Sequence, residues 1–111
     1  MNYSIIALPP FERELKRLSK KYPSLKHDYA IFINDLTKNS LQGTPLGKNC
    51  YKIRIAITSK QKGKSSGARI ITCLKLSKSK IFLMAIYDKS DKENISENEL
   101  DKLLKIIAEI L

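Results

Sequence analysis

Two cationic side chains, Lys52 and Arg54, are separated by one residue in a segment that alternates apolar and polar positions. In an extended strand, residues two apart project from the same face about 6.6 Å from each other. Arg69 lies near the start of the next apolar segment and would approach that face if the two segments pair as a hairpin. Arg binds phosphate through two parallel hydrogen bonds, and Lys binds it as a point charge. The three residues therefore predict a groove that holds a phosphodiester backbone.

Cleavage of RNA by attack of a ribose 2′-hydroxyl is the chemistry that such a groove can support. The reaction needs a base, stabilisation of extra negative charge on the phosphate, and a proton for the departing 5′-oxygen. Neighbouring positive charges lower the pKa of a lysine toward a value useful for proton transfer. Fixed arginines stabilise the phosphorane electrostatically. A cluster of cations can thus replace the His and Glu of other ribonucleases.

The distribution of charge supports a polyanionic partner. Between Leu36 and Tyr87 the chain has no Asp or Glu but carries 11 of its 21 Lys and Arg residues, and the net charge is +10. Acidic residues normally intersperse a merely soluble surface, so a one-signed region favours a binding role over a solvated sheet face. Beyond the central cluster, the lysines predicted to bind RNA are Lys48, Lys60, Lys62, Lys64 and Lys92.

Apolar periodicity and turn residues predict the elements that position these cations. Ser24 is the expected cap of a second helix, and Ser96 with Glu99 forms a capping box that starts the last helix. In chain order we predict a strand at residues 3–7, a helix from Pro9-Pro10 to residue 22, a second helix whose apolar stripe ends at Leu36, a loop at 39–49, strands at 51–57, 69–76 and 81–87, and a helix that runs to Leu111.

This order predicts one α+β domain over residues 1–111, with three antiparallel strands in one layer of sheet and helices against it. No segment approaches the length of a membrane span, and the start of the chain does not look like a secretion signal, so we expect a cytoplasmic protein without a membrane partner. Cys50 and Cys73 are expected as buried thiols. We predict no cofactor and no metal site, because His27 has no ligand at suitable spacing.

Several short motifs in this order resemble the RelE/HigB-like toxins of bacterial toxin-antitoxin systems. The motifs are Leu18-Ser19-Lys20-Lys21-Tyr22-Pro23, Gly43-Thr44-Pro45-Leu46-Gly47, Tyr51-Lys52-Ile53-Arg54, Gly67-Ala68-Arg69-Ile70-Ile71, and Ile86-Tyr87-Asp88-Lys89 followed by Asn94-Ile95-Ser96. The resemblance covers nearly the whole chain. It implies a microbial-RNase (RelE-like) fold, with an antiparallel sheet, an N-terminal helical hairpin and a C-terminal helix.

The same resemblance implies a ribosome-dependent endoribonuclease that cleaves mRNA in the decoding site of the 70S ribosome. It places Lys52 and Arg54 on substrate phosphate or proton transfer, Arg69 on the transition-state phosphate, and Tyr87 and Lys89 at the end of the last strand. Asp88 is a further candidate because HigB-like relatives use an Asp and a Tyr there. The implied partner is a cognate acidic antitoxin, with operator DNA bound only through the complex of the two proteins.

The chain departs from the RelE branch at two positions. Where that branch carries an Arg after the last strand and a Tyr near the final helix, this sequence has Ser90 and Ser96. Three alternatives therefore stay open: a ParE-like gyrase inhibitor, a non-catalytic RNA- or ribosome-binding module, and a toxin that has lost its activity. The constellation of Lys52, Arg54 and Arg69 favours cleavage over the first of these.

Overall fold

The computed structural model describes residues 3–111. The elements in that range follow the predicted order with one addition. They are β1 (Ser4–Ala7), α1 (Pro9–Lys21), α2 (Leu25–Lys38), β2 (Thr44–Gly47), β3 (Cys50–Ile55), β4 (Ala68–Lys75), β5 (Lys80–Asp88) and α3 (Glu97–Ile110), and short 3-10 turns occur at Thr58–Lys60, Lys64–Ser66 and Leu76–Lys78.

The N-terminal helical hairpin forms as the sequence predicts. The proline pair occupies the first turn of α1, where a missing N–H costs nothing, and the helix ends before Pro23. The predicted capping role of Ser24 is only half right. Ser24 is the residue before α2, but its hydroxyl bonds the side chains of Asp28 and Ser59 and makes no hydrogen bond to a backbone N–H of α2.

The sheet contains five strands in the order β1-β5-β4-β3-β2. The prediction that residues 39–49 form only a loop was wrong, because β2 pairs antiparallel with the outer edge of β3. Gly43, Pro45 and Gly47 are turn signals in sequence, yet a proline is tolerated in an edge strand whose N–H side is free. The sheet is also not wholly antiparallel, since β1 runs parallel to β5.

Helices cover both faces of the sheet. On one face α1 and α2 pack on inward-pointing residues such as Ile53, Ile55 and Ile70. On the other face α3 packs on Ile71, Cys73, Phe82 and Met84. Because successive strand residues point to opposite faces, this arrangement fixes which side chains lie beside α3.

Membrane-spanning helices, metal-ligand groups and the two cysteines were each considered in the sequence. Each helix among residues 3–111 is too short or too polar to cross a bilayer. In the same range, His, Cys, Asp and Glu side chains form no group of three that would hold a metal ion. Cys50 and Cys73 are both buried and free, and they face each other across β3 and β4.

Candidate active site

Three predicted site residues form a row across the sheet. The register of β3 and β4 places Arg54 opposite Arg69, and the register of β4 and β5 places Arg69 opposite Tyr87. Residues directly opposite each other in adjacent strands share one face, so the row lies on the α3 side. Lys52 lies on the same face, two residues before Arg54. We call Lys52, Arg54, Arg69 and Tyr87 the site row.

The members of the site row differ sharply in exposure. Arg54 is exposed and Lys52 is half-buried, whereas only 1% of Arg69 is exposed. Arg54 and Lys64 line a cavity of about 180 Å³ beside α2, together with Asp28 and Asp35 of that helix. By exposure, Lys52 and Arg54 are accessible to a ligand, whereas Arg69 is buried.

The guanidinium of Arg69 is held by backbone oxygens of the loop that precedes β4. Its terminal nitrogens donate to the carbonyls of Lys64 at 3.1 Å, Ser65 at 3.1 Å and Ala68 at 3.3 Å. Its Nε is buried and lacks a hydrogen-bond partner among the described residues. Carbonyl dipoles thus replace a carboxylate around this buried charge. Burying an arginine without a carboxylate partner costs desolvation free energy. A role in binding or catalysis would explain why that cost is retained.

Gly67 allows that loop to approach so closely. A Cβ atom at this position would lie 2.0 Å from the carbonyl oxygen of Ile55 in β3. Only glycine fits such an approach without moving the backbone. The turn that precedes β4 is therefore packed against the end of β3, which places the carbonyls of Lys64 and Ser65 over Arg69.

The three cations of the site row, Lys52, Arg54 and Arg69, have no carboxylate partner within residues 3–111, as is also true of Lys62 and Lys64 among the predicted RNA-binding lysines. Several other predicted RNA-binding or catalytic cations do have carboxylate partners in the folded chain. The pairs are Lys48 with Asp101 at 2.7 Å, Lys60 with Asp88 at 2.6 Å, Lys89 with Glu93 at 3.3 Å and Lys92 with Glu99 at 2.7 Å.

Tyr87 is largely buried and its hydroxyl is already engaged. Only 5% of the residue is exposed, and the hydroxyl donates to the backbone carbonyl of Glu93 at 3.4 Å. The ammonium of Lys92 lies 4.9 Å from the centre of the ring. Burial raises the pKa of the phenol above its usual value, although the nearby charge of Arg69 opposes this effect. The neutral phenol is therefore the dominant form at neutral pH.

Lys60 does not lie over the site row, which corrects one expectation from the sequence. Its ammonium donates to Asp88 and to the carbonyl of Ser66 at 2.8 Å, and it lies over the ring of Tyr22. Asp88 is opposite Ala68 and points to the face of the helical hairpin. Lys62 is exposed and lines a cavity of about 510 Å³ on this side, together with Lys60 and Lys89. The loop lysines are thus divided between two sides of the molecule.

Both carboxylate oxygens of Asp88 accept hydrogen bonds from within the fold, and the residue points to the face of the helical hairpin, so this HigB-like candidate does not join the site row. Burial favours its neutral form, but hydrogen bonds from Lys60, Tyr22 and the backbone N–H of Ser90 outweigh that effect and hold its pKa well below the usual value. The carboxylate is therefore a structural anchor. We call Tyr22, Lys60, Asp88 and Ser90 the Asp88 cluster.

The two serines at which the chain departs from the RelE branch have structural contacts of their own. The N–H of Ser90 donates to Asp88 at 3.0 Å. The hydroxyl of Ser96 accepts from the N–H of Glu99 at 3.1 Å, as the capping box predicts. A tyrosine at that position would lack the short hydroxyl that caps α3.

Sequence reasoning missed two residues that lie at the site. Asn94 accepts a hydrogen bond from the ammonium of Lys52 at 2.6 Å. Glu93 provides the carbonyl that binds Tyr87 and the carboxylate that binds Lys89. Both follow β5 in the acidic C-terminal part of the chain, outside the basic region. The only signal in the sequence was their position between the last strand and the cap of the last helix.

Comparisons with known proteins agree with this architecture. A family model described as the RelE toxin of the RelE / RelB toxin-antitoxin system matches residues 12–111. A solved structure of a double arginine-to-alanine mutant of the E. coli toxin RelE in the free state is 15% identical, covers 96% of this chain and 99% of its own, and superposes with a TM-score of 0.65. The isolated E. coli RelE toxin is 20% identical over 94% and 98% of the two chains, with a TM-score of 0.47. A search of curated proteins finds no match. The first structure shares the α+β fold.

Proposed function

The chain belongs to the RelE toxin family of RelE/RelB toxin-antitoxin systems, and from this premise we propose that it is a ribosome-dependent endoribonuclease that cleaves translated mRNA. The observation that carries the proposal is the absence of carboxylates within ion-pair distance of Lys52, Arg54 and Arg69, in a described chain where four other cations of the predicted site have such partners. Unpaired positive charge gathered on one sheet face is suited to a polyanion.

In the proposed reaction Lys52 and Arg54 bind the phosphates that flank the scissile bond. Both are accessible, and both project from the same side of β3. Holding the backbone at two points aligns the 2′-hydroxyl with the departing 5′-oxygen, which is the main contribution that positioning makes to phosphoryl transfer.

Arg69 acts in this proposal from beneath the phosphate. It is buried at the centre of the row, and a fixed charge in a dry environment stabilises a developing negative charge more strongly than one in water. The loop oxygens keep the guanidinium in place, so little reorganisation accompanies the reaction. Tyr87 and Lys89 are candidates for proton transfer at the neighbouring strand end.

Family membership also implies an antitoxin partner. We propose that this partner is acidic and covers the site row, because its charge would complement the unpaired cations. The same charge would attract the toxin to ribosomal RNA in the absence of the antitoxin.

The decisive experiment adds purified protein to a reconstituted translation reaction and maps 5′ ends on the message. Wild type should cut within translated codons and leave free mRNA intact. Replacing both Lys52 and Arg54 by Ala should reduce the cleavage rate by about 10²-fold, the loss typical of misplacing the reacting groups.

A matched control replaces Arg13 and Lys78, one exposed Arg and one exposed Lys away from the site row, by Ala. This variant has the same net charge as the variant that lacks Lys52 and Arg54, and it should cleave at the wild-type rate. Intact messages combined with inhibition of gyrase supercoiling would instead establish a ParE-like activity. Ribosome binding without cleavage by wild type would establish a non-catalytic module.

A further inference from the structure

One segment of the chain contacts two of the four residues of the site row. Residues 89–96 connect β5 to α3, and we call them the strap. The strap begins beside β4, where the N–H of Lys89 donates to the carbonyl of Gly67 at 3.0 Å. It ends at Ser96, whose side chain caps α3. Both ends are thus anchored. Between them the N–H of Ser90 donates to Asp88 on the hairpin face, and residues 92–94 contact residues of the site row.

The middle of the strap satisfies polar groups that a substrate would otherwise bind. The Asn94 side chain accepts from the ammonium of Lys52 at 2.6 Å, and the Glu93 carbonyl accepts from the hydroxyl of Tyr87 at 3.4 Å. Lys92 lies over the face of the Tyr87 ring, where a nucleobase would otherwise stack. Three consecutive residues therefore engage two members of the site row.

Glu93 brings a negative charge to this cationic region. Its carboxylate lies 3.3 Å from the ammonium of Lys89. The hydrogen bond from Lys89 is the main reason that the pKa of the carboxyl lies below its usual value. Desolvation opposes it, and the fields of Lys89, Arg69 and Lys52 add to the lowering. The side chain is 55% exposed, so it can leave without disturbing the core.

We propose that the strap is an internal substrate mimic, in which the carboxylate of Glu93 and the amide oxygen of Asn94 take the places of RNA phosphate oxygens until RNA displaces them. The inference rests on the proposed function in taking RNA as the ligand. The contacts are those expected of a competitor: an anion on an ammonium, an amide oxygen on Lys52, and a cation on an aromatic face.

A role for Glu93 as the general base fits the structure less well. A catalytic base works best with a pKa near the working pH, whereas cations around Glu93 make its carboxylate a weaker base than usual. Its charge is also already neutralised by Lys89. Competition and general-base catalysis predict opposite effects of removing the charge, so they can be separated.

The test measures binding of a short fluorescein-labelled single-stranded RNA by anisotropy, alongside the translation-coupled cleavage assay. Glu93→Gln and Asn94→Ala should each bind RNA about 2–5-fold more tightly than wild type, because each removes one exposed competitor of the size of a surface ion pair. Glu97→Gln is the matched control for net charge, since Glu97 is exposed and belongs to none of the ion pairs found in residues 3–111.

A double-mutant cycle makes the assignment specific. If Asn94 competes for Lys52, the gain from Asn94→Ala should disappear when Lys52 is also replaced by Ala. Persistence of the gain in that background would overturn the proposed contact. Affinity of Glu93→Gln no higher than that of Glu97→Gln would overturn the substrate mimic as a whole.

The outcome for cleavage separates this inference from the proposed function. If Glu93→Gln cuts message at least tenfold more slowly with unchanged RNA affinity, Glu93 is the base and the strap is not a competitor. If wild type does not cut message but the strap variants still bind RNA more tightly, the inference about the strap holds and the enzymatic proposal fails.

Discussion

The site row and the Asp88 cluster lie at the same end of the sheet and each contains a lysine and a tyrosine, yet they are opposite in character. Tyr87 and Asp88 are consecutive in β5 and point to opposite faces. On one face Arg69 is buried without a carboxylate partner. On the other, Lys60 and Tyr22 both donate to a buried carboxylate. The difference teaches that a carboxylate partner, rather than the type of cation, decides whether a charge stabilises the fold or stays available for a ligand.

The site row and the Asp88 cluster also differ in their expected contributions to the free energy of folding. A buried ion pair with additional hydrogen bonds is costly to break, because the remaining charge loses its partner. Carbonyl groups offset only part of the desolvation free energy of a buried arginine, so the charge does not stabilise the fold. Local departures from the most stable arrangement are expected at functional sites. The site row should therefore be important for activity and the Asp88 cluster for stability.

The largest expected effect comes from Arg69→Met. Methionine keeps much of the volume and removes the buried charge, and the exposed Lys64 and Ser65 can give their carbonyls to water. We expect message cleavage to fall by about 10²–10³-fold, while the free energy of unfolding in urea stays equal to or above that of wild type. A loss of activity that simply follows unfolding would contradict this assignment.

Arg17→Met is the matched control for this variant. Arg17 is exposed on α1 and pairs with Glu14 at 3.0 Å and Asp91 at 3.8 Å. Its replacement should leave both the cleavage rate and the urea midpoint close to wild type. Comparable loss of cleavage in the control would show that total charge, and not the site row, determines activity.

The next effect in size is expected at the other cluster. Asp88→Asn removes the negative charge that receives Lys60, Tyr22 and Ser90, so we expect a loss of about 1.5–3 kcal/mol in the free energy of unfolding, the range for hydrogen bonds to charged groups. Urea titration followed by circular dichroism measures it. Asp91→Asn, at an exposed neighbouring carboxylate, should change the midpoint little. Equal stability of Asp88→Asn and Asp91→Asn would contradict a stabilising role for the Asp88 cluster.

Acid should abolish the contribution of the Asp88 cluster to stability. The pKa of Asp88 is lower in the folded chain than in the unfolded chain, so its stabilisation is present above the unfolded value of about 3.9 and is lost as the pH falls toward the folded value. Wild type and Asp88→Asn should therefore differ most in stability above about pH 5, and the difference should begin to shrink below about pH 3.9 and continue to shrink toward the folded pKa of Asp88. A difference that is constant with pH would contradict this prediction.

The smallest effect is expected for Asp101→Asn, which breaks the ion pair with Lys48. Both side chains are at least half exposed, and exposed pairs contribute little because water and salt screen them. The melting temperature should stay within error of wild type at physiological salt. RNA affinity should rise slightly because Lys48 is released. A clear fall in melting temperature would place this pair with the Asp88 cluster instead.

Much of the fold was predictable because local signals agreed with the tertiary structure. Proline at the start of α1 and the capping box at Ser96 determine helix ends through nearby groups alone. Alternation in β3 predicted that Lys52 and Arg54 would share a face. β2 was missed because Pro45 and Gly47 are turn signals, and only pairing with β3 makes this four-residue segment a strand.

The cations of the site could be predicted from the sequence, but the groups that bind those cations could not. Arg54 and Arg69 were expected to meet, since hairpin pairing follows from two neighbouring strands. The sequence offered no means to place Lys60 beside Asp88, or Asn94 beside Lys52, because 28 and 42 residues separate the members of those pairs. Such contacts depend on loop paths, which hydrophobic periodicity does not encode.

The sequence by itself determined where the positive charge lies, which strand residues share a face, and where the main helices begin. Those properties are local, since they depend on side-chain type, the two-residue period of a strand and capping groups within one turn. Only the tertiary structure decided which cations have carboxylate partners and which do not. Coulomb interactions depend on distance in space and on burial. The fold brings Asp101 to Lys48 and Asp88 to Lys60, residues that are distant in sequence, and leaves Lys52, Arg54 and Arg69 without a carboxylate partner.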